Sequence, residues 1–508
     1  MSKEIELKLT LSAAEARRLL RHPLLLATPP VRRRLYNTYF DTSDFALRQR
    51  GVALRLRRRG QSDWVMTVKG GDSGPGGLAQ RNEWEAPTQP GVFDFSPVDD
   101  RSLREFLEGI HKDLRPVFTT DFSRVAWVLD FAGSRIELVL DRGNVRAEDG
   151  SGKSFRSPLC EIELELLEGG ATDALFDLAI TLAHDYMLHP EIQSKAERGY
   201  VLAGGQVLRP VKGLVPKLSA EMAPIEAFRA IALSCLVQLQ RNEAGVAIGQ
   251  DPEFVHQARV AIRRLRCAFK FFSPVLAPEF VDVYSPRWRE VARSLGGLRD
   301  WDVLIGETLQ SFGGKFPHFD GLELLSTRSE DARVKAGIEA LKVFKGRDYS
   351  RLMLAFCAAL MREAPATIGK AKVPEKYRDL DLKNFARKRL RRIERAIGKV
   401  TIPADSLSAE QFHSLRIDFK RLRYAQEIFS PLFPRKRQLS YQSSLVALQD
   451  LLGSLNDHYT ATRLLETLAP AETIPPILHG WIEGRIECLS GCLAQELKRF
   501  RGINPPWR

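Results

Sequence analysis

Acidic and basic side chains alternate with apolar ones in several short segments of this 508-residue chain. The first segment, KEIELKL at residues 3–9, puts Glu4, Glu6 and Lys8 on one side and three aliphatic side chains on the other. Because side chains alternate across a strand, the ordinary interpretation is an apolar face on a core and a charged face in water. The second interpretation is that the charged face lines an interior and does chemistry there.

The same alternation recurs, with a sign that depends on the segment. Carboxylates dominate the first segment and a later one, CEIELEL, in which Glu161, Glu163 and Glu165 share a face. Arginines and Lys69 dominate the middle segments, where Arg55 and Arg57 share one face and Arg81 shares another with Glu83 and Glu85. If these strands closed into a barrel with their polar faces inward, the carboxylates could surround hard divalent cations. The basic side chains could then bind phosphate oxygens.

Two different patterns divide the chain. As far as about residue 165, short alternating segments separated by turn residues predict an antiparallel sheet or barrel. The predicted strands are 3–9, 35–40, 52–58, 64–69, 81–85, 118–129, 135–140 and 160–167. Residues 172–188 carry a helical apolar stripe, and from about residue 221 the pattern is helical nearly throughout. The predicted fold class is α+β for the N-terminal part and all-α for the C-terminal part.

Length, charge and cysteine content indicate the number of domains, the kind of partner and the location of the protein. The length predicts two or three domains. Residues 1–200 hold 28 Lys+Arg and 30 Asp+Glu, a net charge of −2, whereas the remaining 48 and 33 give +15, so the basic excess is C-terminal. Such an excess suggests a polyanionic partner without identifying it. The six cysteines form no CxxC pair, and neither a membrane-spanning run nor a secretory signal is visible, so we expect a cytoplasmic location.

The helical part contains an internal repeat. VHQARVAIRRLRCAFKFFSPVL, from residue 255, matches FHSLRIDFKRLRYAQEIFSPLF, from residue 412. LGGLRD, from residue 295, matches LGSLND, from residue 452. Both matches have an offset of 157 residues, which predicts two copies of one helical unit, at about 220–375 and 376–508.

One face of the repeated helix is almost purely cationic. The stripe comprises His256, Arg259, Arg263, Arg266 and Lys270 in the first copy, and His413, Arg416, Lys420 and Arg423 in the second. A solvated helix face normally mixes signs, because like charges one turn apart repel each other, so a bound polyanion explains the stripe better. The stripe lacks side chains suited to reading bases or stacking on them, which disfavours nucleic acid. Non-specific duplex binding stays open, since phosphate contacts supply most of its affinity.

The N-terminal motifs together resemble the CYTH superfamily, the triphosphate tunnel metalloenzymes, over roughly residues 1–203. The opening EIELK resembles the ExExK signature of that family. RLR, a strand ending in lysine, RNEWE, LDRG, EIELE and SKAERGY, at 194–200, follow in the order of the family. The resemblance implies an eight-stranded antiparallel tunnel with a charged lumen and helices outside it.

The resemblance also implies the site residues. Glu4, Glu6, Glu161 and Glu163 would bind Mg²⁺ or Mn²⁺, and Glu4, Glu6 and Lys8 would be catalytic. The triphosphate would be bound by Lys8, Arg55, Arg57, Lys69, Arg81, Arg124, Lys195 and Arg198. For Glu165, Glu137 and Asp141, a supporting role at the site and simple pairing with an arginine both stay open.

The repeated helical motifs resemble the CHAD domain, a tandem helical module that is often attached to CYTH domains and associated with inorganic polyphosphate. The resemblance implies two units packed about a pseudo-twofold axis, with a basic groove for a phosphate chain. Lys270 becomes Glu427 and Arg299 becomes Asn456 in the second copy, so we expect the first copy to contribute more. The predicted domains are a CYTH tunnel domain at 1–203, a linker at 204–219 and a CHAD domain at 220–508.

Three functional hypotheses follow. The first is a divalent-metal-dependent inorganic triphosphatase joined to a polyphosphate-binding domain, located in the cytoplasm or at polyphosphate granules. The second is a polyphosphate-granule scaffold whose tunnel does not turn over. The third is nucleotide chemistry, such as adenylate cyclisation or thiamine triphosphate hydrolysis, which the tunnel family includes and for which the sequence offers no base-recognition motif. No membrane partner is expected.

Overall fold

The computed structural model describes residues 2–60, 62–71, 74–148, 152–167, 169–204, 208–319, 321–362, 374, 377, 380–398, 409–468 and 476–507. The chain divides into two compact units. The first unit comprises Met1–Arg209 and Lys345–Arg362, and the second comprises Pro210–Phe344 and Glu363–Arg508. The first unit is therefore assembled from two separate stretches of sequence.

A closed antiparallel barrel forms the centre of the first unit. Its strands are β1 (Ser2–Thr10), β2 (Val31–Asp41), β3 (Val52–Arg59), β4 (Asp63–Gly70), β5 (Leu78–Thr88), β6 (Arg115–Phe131), β7 (Ser134–Glu148) and β8 (Ser154–Leu166). They are hydrogen-bonded in the order β5-β4-β3-β2-β6-β7-β8-β1, and β1 also pairs with β5, which closes the barrel. A two-residue strand, β9 (His189–Pro190), adds to β1. The predicted eight-stranded antiparallel tunnel is confirmed.

Helices cover the outside of the barrel. They are α1 (Ala13–Leu19), α2 (Pro23–Leu26), α3 (Ala46–Gln49), α4 (Arg101–Ile110), α5 (Thr172–Asp185) and α6 (Lys195–Ala203). The apolar alternates of the charged side chains, such as Leu7, Leu9, Ile162 and Leu164, are completely buried. Burial of each such side chain contributes about 1.5–3 kcal/mol, so the hydrophobic core fixes which face of each strand points inward. The charged alternates are left to the lumen.

The described part of the second unit is mostly helical and follows an irregular stretch at 210–223. Its helices are α7 (Pro224–Ile248), α8 (Pro252–Phe272), α9 (Pro278–Val303), α10 (Gln310–Lys315) and α11 (Leu322–Phe344), and later α13 (Leu382–Gly398), α14 (Ala409–Phe429), α15 (Arg435–Leu468) and α16 (Pro476–Arg501). The bounds of α8 and α14 differ by 157 residues at both ends, and each helix runs into a 3₁₀ turn, Ser273–Val275 and Ser430–Leu432. The structure thus repeats with the offset seen in the sequence.

One helix from far along the chain belongs to the first unit. Helix α12 (Arg347–Met361) contacts α5, β9 and the 3₁₀ turn at Pro75–Gly77. Several of its side chains, including Met353, Phe356 and Cys357, are completely buried. Among the described helices of the whole chain, none combines the length and the apolarity needed to cross a membrane.

Candidate functional site

The lumen of the barrel holds a network of opposite charges. All eight predicted triphosphate-binding cations contact polar groups of this network: Lys8, Arg55, Arg57, Lys69, Arg81, Arg124, Lys195 and Arg198. They come from five different strands and from α6, so no short segment of sequence could assemble them alone. Lys8, Arg55, Arg57 and Lys195 are less than a tenth exposed. Charges this deeply buried persist only when they are paired.

The tightest group in the lumen is an acidic triad, Asp141, Glu161 and Glu163, around Lys195. The Nζ atom of Lys195 lies 2.8 Å from Asp141 Oδ2, 2.7 Å from Glu161 Oε1 and 2.9 Å from Glu163 Oε1. Arg124 donates to both Asp141 oxygens, at 2.8 and 2.7 Å, and to Glu163 Oε2, at 2.8 Å. Antiparallel register places Asp141 opposite both Glu161 and Arg124, which brings these side chains onto one inward face.

These contacts set the ionisation of the triad. Burial alone would lower the pKa of Lys195, but the three carboxylates outweigh it and raise that pKa. Burial would likewise raise the pKa of Glu163, but Lys195, Lys8 and Arg124 hold it well below its usual value. The pKa of Asp141 is lowered against its burial by Lys195 and Arg124. Asp141 and Glu163 are therefore ionised and are fit to hold cations.

A divalent cation fits the same oxygens. One ligand atom from each of Asp141, Glu161 and Glu163 lies within 4.8 Å of the others, a set of hard oxygens of the kind that Mg²⁺ and Mn²⁺ prefer. Both buried oxygens of Glu161 lack a hydrogen bond of good geometry in the described chain, although Lys195 Nζ lies 2.7 Å from Oε1 and Arg198 Nη2 lies 3.2 Å from Oε2. Asp141, whose role the sequence left open, is thus part of the strongest candidate metal group.

Glu4 and Glu6 are held by other cations. Lys69 Nζ donates to both oxygens of Glu4, at 2.8 and 2.7 Å. Arg81 Nη1 lies 3.3 Å from Glu6 Oε1. Lys8 Nζ lies between the two carboxylate groups, 3.6 Å from Glu6 Oε1 and 3.4 Å from Glu163 Oε1, and so links Glu6 to the triad.

Helix α6 delivers two cations to the lumen. Ser194 caps the helix and Glu197 completes a capping box, which fixes where the helix starts. Lys195 and Arg198 then lie one turn apart on the same face. Arg198 Nη2 is 3.2 Å from Glu161 Oε2 and 2.9 Å from Glu191 Oε2. Sequence reasoning missed Glu191, which lies in an irregular segment without any alternating pattern.

Two lumen residues have unusual electrostatics. Arg57 donates to Asn37 Oδ1 at 2.9 Å rather than to a carboxylate, and burial together with Arg55 and Arg124 lowers its pKa to about 9. Burial and the nearby carboxylates of Glu4, Glu137 and Glu83 raise the pKa of Glu165 to about 8, although Lys69 opposes the shift. The lumen is thus short of negative charge near Arg57 and has an excess of it near Glu165.

In the second unit, the two predicted basic stripes meet. The pKa of Lys420 is lowered to about 7 by burial and by Arg416, Arg263 and Arg259, against Asp457. Arg259 and Arg263 belong to α8, whereas Arg416 and Lys420 belong to α14. Because these side chains repel one another, they lie close together, and the cations of the two copies form one cluster rather than two separate faces. Arg259 Nη1 also donates to the carbonyl oxygen of Leu295, at 3.0 Å, which ties HQARVAIRRLR to LGGLRD.

The cluster retains donors that the protein itself does not use. In the described chain the Nε atoms of Arg263 and Arg416 are buried and have no hydrogen-bond partner. Burial and the neighbouring arginines lower the pKa of Arg416 and of His256, although Asp457 and Glu253 oppose these shifts. Unpaired buried donors and crowded cations are both costly, and an anion bound here would relieve both.

The remaining stripe residues lie in different surroundings. Arg423 donates to Glu427 Oε1 at 2.7 Å and to Gln449 Oε1 at 2.9 Å, so its charge is already neutralised. Arg266 and Lys270 have lowered pKa values, first through burial and then through basic residues that sequence reasoning missed, Arg289, Arg293 and Arg421. The side chain of His413 lies outside the described part of the chain.

These features define a tunnel protein, with a closed antiparallel barrel and a charged lumen, joined to a repeated helical module with a basic cluster. The family models agree with both parts: the CYTH domain matches residues 2–200 and the CHAD domain matches residues 230–466. The chain therefore contains a CYTH domain followed by a CHAD domain.

Known proteins resemble parts of this chain. The inorganic triphosphatase of Haemophilus influenzae is 33% identical over 214 residues, which is 41% of this chain and 57% of that protein. The chain thus spans little more than half the length of this curated relative. The CHAD domain from the plant Ricinus communis is 31% identical over 58% of this chain and 95% of its own, with a TM-score of 0.45. HpAC1 from Hippeastrum, described as having a dominant triphosphatase activity, is 22% identical over 40% of this chain and 97% of its own, with a TM-score of 0.29.

Proposed function

We propose that this protein hydrolyses inorganic triphosphate in the barrel lumen with the help of a divalent cation. The observation that carries the proposal is the lumen itself, which holds eight buried or half-buried cations together with the triad of Asp141, Glu161 and Glu163. The 33% identity to an inorganic triphosphatase supports the same reaction. Neither the adenylate cyclase nor the thiamine triphosphatase alternative gains a base-binding residue from the described lumen.

The cations bind and orient the substrate. In the free protein, most lysines and arginines of the lumen are paired with carboxylates. Phosphoryl oxygens can replace these carboxylates as acceptors, because they accept the same charge-assisted hydrogen bonds. Arg57, which has an amide rather than a carboxylate as its partner, needs no such exchange. Lys8 keeps its proton, since Glu6 and Glu163 outweigh its burial and raise its pKa, so it donates a hydrogen bond to a phosphoryl oxygen.

The acidic residues would hold the metal. Asp141, Glu161 and Glu163, with Glu4 and Glu6 from β1, would hold Mg²⁺ or Mn²⁺, which supplies charge neutralisation and a more acidic water. In the reaction, a water oxygen bonds to the terminal phosphorus and the bridging P–O bond breaks, so that orthophosphate and pyrophosphate form and the proton lost by the water passes to solvent. Arg124 and Lys195 stabilise the charge that develops on the departing oxygens, an electrostatic role that requires no side-chain nucleophile.

Phosphate release from tripolyphosphate tests this proposal. We expect release with Mg²⁺ or Mn²⁺, none with chelator, and preference for tripolyphosphate over ATP. The variant Glu4→Gln/Glu6→Gln should lose at least about 100-fold in kcat/KM while keeping its fold, whereas the exposed Asp63→Asn should match the wild type. Unchanged hydrolysis by the double variant would remove both glutamates from the site. Tight binding without release would favour the scaffold hypothesis.

A second function is supported by the basic cluster of the second unit. Arg259, Arg263, Arg416 and Lys420 converge from both copies, and the buried Nε donors of Arg263 and Arg416 have no partner in the described chain. We infer that the cluster binds inorganic polyphosphate. A phosphate chain offers closely spaced acceptors without bases. The aromatic ring that lies against Arg263, that of Tyr424, is buried and does not offer a face on which a base could stack.

Binding of polyphosphate to single-charge variants tests this function. Arg263→Gln and Arg416→Gln should each weaken binding about tenfold, because each loses a charge-assisted hydrogen bond. The exposed Lys335→Gln, which removes the same charge, is the matched control. The reversal of Arg259, Arg263 and Arg266 to Glu should abolish binding. Equal affinity of all single variants, or competition by duplex DNA at equal phosphate concentration, would contradict the assignment.

A further inference from the structure

Helix α12 supports the barrel at two segments. At its N-terminal end, the Tyr349 ring stacks on the His189 imidazole with the centroids 6.0 Å apart, and Ser350 Oγ lies 3.3 Å from His189 Nδ1. Further along, Cys357 packs against Gly76 so closely that a Cβ added to this glycine would lie 2.6 Å from Cys357 Sγ. The helix therefore contacts both β9 and the turn at Pro75–Gly77.

Both supported segments touch the backbone of Lys8. The amide of Glu191, which directly follows β9, donates to the carbonyl oxygen of Lys8 at 2.9 Å. Gly77, with a positive φ of +86°, approaches the same carbonyl oxygen so closely that no side chain fits between them. The Glu191 carboxylate in turn accepts from Arg198. Displacement of either segment would therefore move lumen cations.

Helix α12 has its own anchors, which are separate from these two contacts. Arg351 donates from Nε to the carbonyl oxygen of Ala183, at 3.0 Å, and from Nη2 to that of His184, at 2.7 Å. These are carbonyl groups of the last turn of α5, where a cation is favourable. At the other end of α12, Arg362 pairs with Asp177 at 3.2 Å. The helix is thus held in place even when one contact is removed.

We propose that Tyr349, Ser350 and Cys357 are positioning residues for the triphosphate site. They act through His189–Glu191 and Pro75–Gly77 on Lys8 and Arg198, and they touch no substrate atom themselves. The proposal rests on the proposed triphosphatase function. It assigns to a helix from within the CHAD match a part in the geometry of the CYTH lumen.

Steady-state kinetics of the full chain test the proposal. Tyr349→Ala/Ser350→Ala should raise KM for tripolyphosphate about tenfold and leave kcat within about threefold, because misplaced Lys8 and Arg198 weaken substrate binding before chemistry. Ser350→Thr keeps the hydroxyl and should retain the wild-type KM. Arg362→Ala removes a contact at the far end of α12 and should change neither constant.

A binding measurement separates this proposal from the function on which it rests. The Kd of the non-hydrolysable imidotriphosphate should rise about tenfold in Tyr349→Ala/Ser350→Ala, in parallel with KM. If the double variant does not fold, we expect the Kd to rise by a smaller factor in Ser350→Ala alone. Unchanged Kd and KM in a folded variant, or an equal rise in Arg362→Ala, would overturn the positioning role only. A wild type that binds no imidotriphosphate would overturn both proposals.

Discussion

The ammonium of Lys195 lies 2.7 Å from Glu161 Oε1, at the centre of a triad completed by Asp141 and Glu163. The protein thus supplies its own cation to the oxygens that fit a divalent metal. Lys195 begins helix α6, whereas the three acids are on β7 and β8. Metal binding and the pairing of Lys195 therefore compete, and the lysine that leaves the acids becomes available to phosphate.

Replacement of Lys195 should make the fold depend on metal. Lys195→Met leaves three buried carboxylates with Arg124, Arg198 and Lys8 as their remaining partners, and the loss of one partner from a buried ion pair costs about 3–5 kcal/mol. We expect the variant to melt below the wild type in chelator. Mn²⁺ should raise its melting temperature more than that of the wild type, since the metal then replaces the missing charge.

Lys153→Met, at an exposed position outside the lumen, is the matched control. Its melting temperature should respond to Mn²⁺ as the wild type does. If Mn²⁺ does not change the melting temperature of Lys195→Met, this result would argue against a metal at the triad.

Removal of the charge of Glu165 should stabilise the protein at alkaline pH. Its folded pKa of about 8 lies above the ordinary glutamate value, so between the two values the folded state holds a proton that the unfolded state has lost. Stability therefore falls as the pH rises towards 8. Glu165→Gln avoids this loss, and in chelator at pH 8 its melting temperature should exceed that of the wild type, with about 2–4 °C expected per 1 kcal/mol. At pH 4 the two proteins should melt together, and a difference of equal size at both pH values would refute this origin.

Polyphosphate binding should be coupled to protonation of Lys420. Because the pKa of Lys420 is depressed to about 7, this side chain is mostly neutral at pH 8 in the free protein. A bound phosphate chain favours the charged form, so binding takes up a proton and tightens as the pH falls from 9 to 7. Lys420→Arg stays charged throughout this range and should lose that part of the pH dependence. Calorimetry in buffers of different ionisation enthalpy measures the proton uptake, and equal uptake by both proteins would exclude Lys420 as its source.

Arg423 should contribute little to polyphosphate binding, although it belongs to the repeated stripe. Its guanidinium is neutralised by Glu427, the residue that replaces Lys270 in the second copy. Arg423→Gln should therefore bind polyphosphate within about twofold of the wild type, since a paired cation has little charge left to offer. A loss as large as that of Arg416→Gln would show that the ligand displaces Glu427.

The barrel could be predicted because its pattern has a short period. Strand alternation fixes the inward face of each strand, and so Glu4, Glu161 and Arg55 could be assigned to one interior before their contacts were known. Asp141 shares a face with Glu137 by the same rule, so the signal for it was present. The pairing of Lys69 with Glu4, by contrast, depends on the register between β4, β5 and β1, which no single strand encodes.

The helical repeat was equally visible, but the partners of its cations were not. An offset of 157 residues identifies equivalent positions, yet it cannot tell that Arg423 is neutralised while Arg416 keeps a free donor. The sequence could not predict that α12 belongs to the first unit. The apolar pattern of a buried helix shows that the helix is covered but not which part of the protein covers it.

Because α12 belongs to the first unit, that unit cannot be completed until this later part of the chain has been synthesised. The ribosome finishes the last lumen helix at residue 203, but residue 362, which ends the stretch that completes the first unit, emerges roughly 160 residues later. At a translation rate of about 5–20 residues per second, α12 is synthesised roughly 8–30 s after the barrel. During that interval the surface later covered by α12 is exposed to solvent, so the nascent chain offers chaperones an apolar surface on a domain whose strands are already complete.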